Sequence, residues 1–153
     1  MTTQRRSVLK KIVASVAGIA GFGAAAKAMD NAQPGKETGS ITYEQDVPLF
    51  AGHTKFNGLV YIAGKGAHFQ GDIKSHTDHV LKEVEAELKK AGSSMEKVLK
   101  VNVYLNDIAD YKGMNEVYKG RFGKNPPVRT TVAVAKGGVP GDSLVEIDCI
   151  AYL

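Results

Sequence analysis

The pattern of apolar and polar residues predicts six strands and two helices over residues 40–153. Strands are indicated by six runs rich in β-branched and aromatic residues: SITYEQD, PLFAGHTKF, FNGLVYIAG, KVLKVNVYL, VRTTVAVA and LVEIDCIAYL. Asn57-Gly58, inside the third run, is a strong signal for a tight hairpin turn. The second and third strands are therefore expected to pair antiparallel.

A long amphipathic helix is predicted between the third and fourth strands. The stretch SHTDHVLKEVEAELKKAGSS repeats apolar residues at helical spacing. Its charged residues, Glu87 among them, are expected to face away from the core. We expect Ser75 to cap the start of this helix and Gly92 to end it.

A second helix is predicted from about Ile108 to Phe122, although Gly113 within it costs about 1 kcal/mol of helix stability relative to alanine. Strands mixed with two helices predict the α+β class, with a mixed sheet and both helices packed on one face. The opposite face of such a sheet carries apolar residues, and we expect another copy of the chain to bury them.

The first 28 residues are laid out like an export signal. A basic start precedes an apolar stretch from Ile12 to Ala26, and Ala26-Lys27-Ala28 forms a small-x-small cleavage site. The stretch is shorter than the ~20 residues of a spanning helix, so cleavage after Ala28 is favoured over a membrane anchor. The segment QRRSVLKK resembles the twin-arginine export motif, with Arg5-Arg6 as its pair, and the general secretory route stays open.

These features predict three segments. Residues 1–28 form a cleavable export signal, residues 29–39 form a linker rich in turn formers, and residues 40–153 form one domain. The expected location is the bacterial periplasm, with membrane contact only during export.

Positive charge is concentrated at the start of the chain. The formal net charge is +4, yet five of the 20 lysines and arginines and none of the 16 acidic residues precede Met29. The remainder has a net charge near −1, which argues against a nucleic-acid partner. Cys149 is the sole cysteine, so no intramolecular disulfide can form, and a buried inert thiol is expected there.

The histidines do not predict a metal site. His68, His76 and His79 are closely spaced, but the sequence has neither HExxH nor clustered cysteines. Histidines near a helix start are more often solvated or capping, so we expect no bound metal.

A charged pair in the last two strands is the remaining candidate for chemistry. Arg129 lies at the start of the VRTTVAVA strand, and Glu146 lies in the final strand, which we expect to be its neighbour. One interpretation is a cross-strand ion pair of little energetic value. The other is an arginine fork that binds a substrate carboxylate, with a glutamate that positions a water molecule.

Several of these stretches resemble the RidA (YjgF) family of enamine/imine deaminases: NPPVRTTVAVA, LVEIDCIAYL, VNVYLNDIADYKGMNEVY, FNGLVYIAGKG and the helix end KKAG. The resemblance covers about Thr42 to Leu153. It implies a homotrimer of chorismate-mutase-like α+β fold, with active sites in the clefts between subunits. Arg129 matches the family's essential arginine, Glu146 its water-positioning glutamate and Asn115 the asparagine of its second helix.

The chain departs from the family pattern at positions expected to line the substrate site. Phe50 stands where the best-known deaminases have tyrosine, which removes a hydroxyl. Ala63-Gly64-Lys65 replaces Ser-Gly-Gln, and Thr131 replaces a frequent cysteine. We expect Phe50, Ala63, Lys65 and Thr131 to contact the substrate together with Asn115 and Arg129.

The resemblance implies hydrolysis of reactive enamines or imines, such as 2-aminoacrylate, to 2-keto acids and ammonia, with no cofactor. Its small-molecule partner is an imino or keto acid. The alternative is a non-catalytic protein that binds small carboxylates on the same trimer, which the missing hydroxyl at Phe50 and the exported location both favour. An RNA-cleaving or chaperone role is a third hypothesis, which the charge of the exported part argues against.

Overall fold

The computed structural model of the chain describes residues 35–153. The predicted export signal and the first part of the predicted linker lie outside the described residues. Within the described range, no helix is long and apolar enough to cross a membrane.

Six strands and two α-helices make up the domain, in the predicted order. The first strand begins three residues before the predicted start of the domain at residue 40. The elements are β1 (Glu37–Glu44), β2 (Val47–Phe56), β3 (Leu59–Lys65), α1 (Ile73–Ala91), β4 (Val98–Leu105), α2 (Tyr111–Tyr118), β5 (Val128–Ala133) and β6 (Val145–Tyr152).

The strands form one mixed sheet in the order β1-β2-β3-β6-β4-β5. Only the β4–β5 pairing among them is parallel, and α2 lies in the connection between these two strands. The predicted hairpin joins β2 to β3, and Asn57 and Gly58 both adopt the positive φ that this tight turn requires. The predicted α+β fold with two helices and a mixed sheet is confirmed.

The hydrophobic core lies between the sheet and α1. The apolar residues predicted for the inner face of α1 are buried: Val80, Leu81, Val84, Leu88 and Ala91. They pack with alternate residues of the central strands, including Val101, Val103, Ile147 and Cys149. Burial raises the pKa of the Cys149 thiol to about 12, which agrees with the inert thiol expected there.

The start of α1 differs from the prediction. Asp72, not Ser75, is the N-cap residue, and its carboxylate accepts a hydrogen bond of 2.8 Å from the Ser75 backbone N–H. This hydrogen bond lowers the pKa of Asp72. The N-cap position precedes the first helical residue, so Asp72 can accept from the Ser75 N–H three residues later, whereas Ser75 itself already lies within the helix. The helix ends as predicted at Gly92, which has the left-handed backbone of a C-cap.

The second helix is shorter than predicted. A 3-10 turn at Ile108–Asp110 precedes α2, which ends at Tyr118 rather than at Phe122. Gly113 lies where α2 approaches α1, since a Cβ at this position would come within 2.7 Å of the Ile73 side chain. The glycine that weakens the helix therefore permits close packing of the two helices.

Candidate functional site

Arg129 lies in β5, an edge strand of the sheet, and its side chain extends over α2. Its Cα pairs with that of Val101, a core residue of β4, so both side chains lie on the face that carries the helices. The Arg129 Cζ lies 4.5 Å from the ring centroid of Tyr118 and 5.8 Å from that of Tyr111. Nη2 donates a hydrogen bond of 3.3 Å to the Tyr111 hydroxyl.

The contacts hold the guanidinium without occupying all of its donors. Nη1 makes a long contact of 4.0 Å with Met114 Sδ, and an arginine has five N–H groups. Among the residues that the structure describes, no carboxylate forms an ion pair with Arg129. Donors therefore remain for an anionic ligand.

Sequence reasoning missed the support that α2 provides. Tyr111, Met114 and Tyr118 follow one another at intervals of three and four residues, so they lie along one stripe of the helix. All three contact the Arg129 guanidinium. Their helical spacing can be recognised in the sequence, but their contact with Arg129 of β5 cannot be.

Two polar atoms near Arg129 lack a hydrogen-bond partner in the described part of the chain. They are the Tyr118 hydroxyl and Thr131 Oγ1, both inaccessible to solvent. Burial raises the pKa of Tyr118 to about 12 despite the nearby charge of Arg129, so its hydroxyl stays protonated. Thr131 follows Arg129 by two residues in β5, so its side chain lies on the same face of the strand.

Asn115, the predicted residue of the second helix, belongs to the same group. It lies one helical turn beyond Tyr111 on α2, and its amide together with the charge of Arg129 lowers the pKa of Tyr111. The structure thus brings Arg129, Asn115 and Thr131 together, with Tyr111 and Tyr118 between them. We call these five residues the arginine cluster.

Glu146 lies elsewhere. Its neighbours in β6, Val145 and Ile147, are fully buried on the helix side, so the Glu146 side chain points to the helix-free face. Gly64 lies directly against its carboxylate, because a Cβ at Gly64 would overlap Oε1. The absence of a side chain at Gly64 therefore leaves room for this carboxylate.

The expectation that Arg129 and Glu146 lie on neighbouring strands is wrong. Strand β4 lies between β5 and β6, with Tyr104 paired to Glu146 and Val101 paired to Arg129. Because these two β4 residues are separated by an odd number of positions, the two side chains point to opposite faces. Within one chain they form no ion pair and cannot contact the same small molecule.

Lys65 does not join the arginine cluster in the same chain. It lies at the end of β3, beyond an irregularity in the pairing with β6, and its Nζ is 3.6 Å from the Glu87 carboxylate. Ala63 lies in the same strand, three strands away from β5. Phe50 lies in β2 with 55% of its surface exposed. These three predicted substrate contacts are therefore remote from Arg129 in a single chain.

Glu87 is buried, contrary to the expectation that it faces solvent. It is 3% exposed, and His53 Nδ1 donates a hydrogen bond of 2.7 Å to its carboxylate. Burial by itself raises the pKa of Glu87, but hydrogen bonds from Ser40 and His53 and the charge of Lys65 outweigh it and lower the pKa to about 2. This charged network joins α1 to β2 and β3.

The structure gives the histidines structural contacts. His76 is 2% exposed, its Nε2 lies 2.9 Å from the Phe69 carbonyl, and its Nδ1 accepts a hydrogen bond from the Leu144 N–H. Both ring nitrogens of His76 are thus occupied. No group of three potential metal ligands occurs among residues 35–153.

Comparisons with known proteins agree with this architecture. The sequence model of the family described as Endoribonuclease L-PSP matches residues 47–153. A RutC family protein of Pyrococcus abyssi is 39% identical over 105 residues, which cover 64% of this chain and 81% of that protein. Reactive Intermediate Deaminase A of Arabidopsis thaliana chloroplasts is 34% identical over 106 residues, which cover 65% of this chain and 56% of that protein.

A solved structure shows the same fold. The crystal structure of a member of the YjgF/YER057c/UK114 family from Mycobacterium tuberculosis aligns with a TM-score of 0.62 and 32% identity. The alignment covers 68% of this chain and 86% of that one. With a family match over residues 47–153, this chain belongs to the Endoribonuclease L-PSP family, whose relatives carry the RutC and YjgF names.

Proposed function

We propose that this protein hydrolyses small 2-imino acids, and the enamines that tautomerise to them, to 2-keto acids and ammonia. The observation that carries the proposal is the Arg129 guanidinium, which α2 fixes in place while leaving N–H donors free. A planar fork of this kind matches the geometry of a carboxylate. The name of the Arabidopsis relative, a reactive intermediate deaminase, supports this activity.

Glu146 supplies the second half of the proposed chemistry. Water adds to the imine carbon, and the resulting amino alcohol expels ammonia to leave the keto acid, so the imino acid and one water give one keto acid and one ammonia. A carboxylate can orient the attacking water and accept its proton. Gly64 leaves the space that the Glu146 carboxylate occupies, so the absence of a side chain there sets the position of this group.

Because Arg129 and Glu146 lie on opposite faces of the sheet, the proposed site combines Arg129 of one copy with Glu146 of another. Exposed apolar side chains on the helix-free face support assembly, among them Tyr61, Val132 and Tyr152. We propose a homotrimer, with each site in a cleft between two copies. Phe50 and Ala63 are then free to contribute from the copy that supplies Glu146, whereas Lys65 is held near Glu87 of α1.

We also propose that residues 1–28 form a cleavable signal that directs export to the periplasm, by the twin-arginine route with Arg5-Arg6 as its pair or by the general secretory route. Fusion of these residues to a reporter tests this proposal. A reporter that stays in the cytoplasm would contradict it.

Ammonia release from an enamine generated in situ tests the activity. We expect the parent protein to accelerate release, and Arg129→Ala to release ammonia at the rate of the solution without protein. Parallel titration with a 2-keto acid separates binding from catalysis. Tight binding of the keto acid without ammonia release would show a carboxylate-binding protein instead of a deaminase.

A further inference from the structure

The Tyr111 hydroxyl is hydrogen-bonded to the Arg129 guanidinium. Its oxygen accepts a hydrogen bond of 3.3 Å from Arg129 Nη2, and Asn115 lies one helical turn further along α2. The neighbouring Asn115 amide and the positive charge of Arg129 both lower the pKa of Tyr111. The guanidinium has no acceptor, so it cannot take the phenol proton.

The Tyr111 hydroxyl proton therefore points away from Arg129. The Tyr111 side chain is 40% exposed, in contrast to the buried hydroxyl of Tyr118. A ligand carboxylate bound in the plane of the guanidinium would lie next to Nη2 and hence next to the Tyr111 hydroxyl. The substituent on C2, the carbon next to the carboxylate, would then lie within hydrogen-bond distance of the Tyr111 hydroxyl.

We propose that Tyr111 determines specificity by donating its hydroxyl proton to the atom double-bonded to C2 of the acid that Arg129 holds. That atom is the oxygen of a 2-keto acid or the nitrogen of a neutral 2-imino acid. An unsubstituted carboxylic acid offers no acceptor there. This inference rests on the proposed function and assigns to Tyr111 the recognition of the acceptor that these acids carry on C2.

Tyr118 provides a matched control. Its ring contacts the same guanidinium, at 4.5 Å from Cζ, but its hydroxyl is buried and has no partner among the described residues. Tyr118→Phe and Tyr111→Phe each remove one hydroxyl, and each variant keeps the aromatic ring beside Arg129. Of these two hydroxyls, that of Tyr111 is the one that a ligand can contact.

Isothermal titration of the full-length protein with 2-oxobutanoate and with butanoate tests the inference. For the parent, we expect the keto acid to bind about three- to tenfold tighter than butanoate, the range of one neutral hydrogen bond. In Tyr111→Phe, that preference should fall close to unity while butanoate affinity changes little. Tyr118→Phe should change the affinity for both acids by the same factor, because Tyr118 contacts Arg129 and its buried hydroxyl does not reach the C2 substituent.

Two outcomes would overturn the inference. A preference that persists in Tyr111→Phe would show that another group binds the C2 substituent. An equal loss of affinity for both acids in this variant would show that Tyr111 only supports Arg129.

The same titrations separate this inference from the proposed activity. A keto-acid preference that depends on Tyr111, in a protein that releases no ammonia, would support the inference and reject only the deaminase function. A parent protein that binds neither acid would reject both.

Discussion

The Arg129 guanidinium and the Glu146 carboxylate point to opposite faces of one sheet. The register places Arg129 opposite Val101 and Glu146 opposite Tyr104, and the intervening strand β4 separates them. Side chains at odd separation along a strand alternate between faces. A site that uses both groups on one small acid must therefore draw them from two copies of the chain.

Mixed assemblies test this arrangement directly. We expect Arg129→Ala and Glu146→Gln each to be nearly inactive alone, because each removes one half of every site. Co-expression of the two variants with different tags should restore activity in the doubly purified assemblies, since some clefts then combine an intact Arg129 with an intact Glu146. Activity is measured as ammonia release per assembly.

A double variant that carries both substitutions in one chain provides the control. Co-expressed with either single variant, it should restore no activity, because every cleft then lacks Arg129 or lacks Glu146. If the two single variants fail to complement each other although mixed assemblies form, both groups act within one chain and the composite site is wrong.

The charge of Arg129 alone should not be sufficient for binding. Lysine keeps the positive charge but has no planar fork, so Arg129→Lys should weaken keto-acid binding nearly as much as Arg129→Ala, by about 2–5 kcal/mol. The melting temperature should change much less, because Arg129 lies on an edge strand and fills no core volume. Titration and thermal melting of each variant check this prediction.

Lys100 supplies the control for Arg129. It lies on β4, directly beside β5, and its Nζ donates to the Thr130 hydroxyl on the helix-free face. Lys100→Ala removes a positive charge from the neighbouring strand without touching α2. A loss of binding in this variant as large as that in Arg129→Lys would show that net charge, not the fork, binds the acid.

Local patterns were sufficient to predict the elements of the fold. Alternation located the strands, helical spacing located α1, and Asn57-Gly58 located the hairpin. These signals depend on neighbours in the sequence, which is why they were readable. The insertion of β6 between β3 and β4 depends on pairing across long stretches of chain, so the neighbours of Arg129 and Glu146 could not be derived.

The misassigned position of Glu87 has the same cause. From its position on α1, the sequence predicts that Glu87 faces solvent. In the structure, β2 and β3 place His53 and Lys65 against its carboxylate. The contacts of Tyr111 and Tyr118 with Arg129 likewise depend on β5, which places Arg129 over α2. In each case a helix residue was read correctly as helical, and its partner lay on a distant strand.

Gly64 should be required for the Glu146 carboxylate to keep its position. In Gly64→Ala the new Cβ would overlap Oε1 of Glu146, and the flexible carboxylate would move aside. We expect kcat/KM to fall about tenfold or more, because a displaced carboxylate no longer orients the water. The melting temperature should fall little, since the displaced atoms belong to the end of a side chain.

Gly66 offers a matched substitution nearby. A Cβ at Gly66 would come no closer than 3.4 Å to the Ser143 side chain, an ordinary contact. Gly66→Ala should therefore keep the parent activity. Parent-like activity in Gly64→Ala as well would remove Glu146 from the proposed chemistry.

The buried Glu87 network should make stability depend on pH in the acid range. The pKa of Glu87 in the folded protein is lowered to about 2 from an ordinary value of 4.5. A lowered pKa means that the folded state favours the ionised form, so the contribution is fully present above about pH 5 and is lost as pH falls towards 2. The shift corresponds to about 3 kcal/mol of unfolding free energy.

Glu87→Gln isolates this contribution, because glutamine keeps the shape and can still accept a hydrogen bond from His53 but does not ionise. Denaturant unfolding of parent and variant should differ most near neutral pH, and the difference should shrink as pH falls to about 3. Other carboxylates with lowered pKa, such as Asp72 and Asp78, are present in both proteins, so their contributions cancel in the difference of unfolding free energy.

Glu85→Gln is the control, because it removes an exposed carboxylate paired with Lys89. Its unfolding free energy should differ from that of the parent by less than about 1 kcal/mol over the same pH range. A Glu87→Gln difference that stays constant from neutral pH to pH 3 would show that Glu87 contributes by packing and not by its charge.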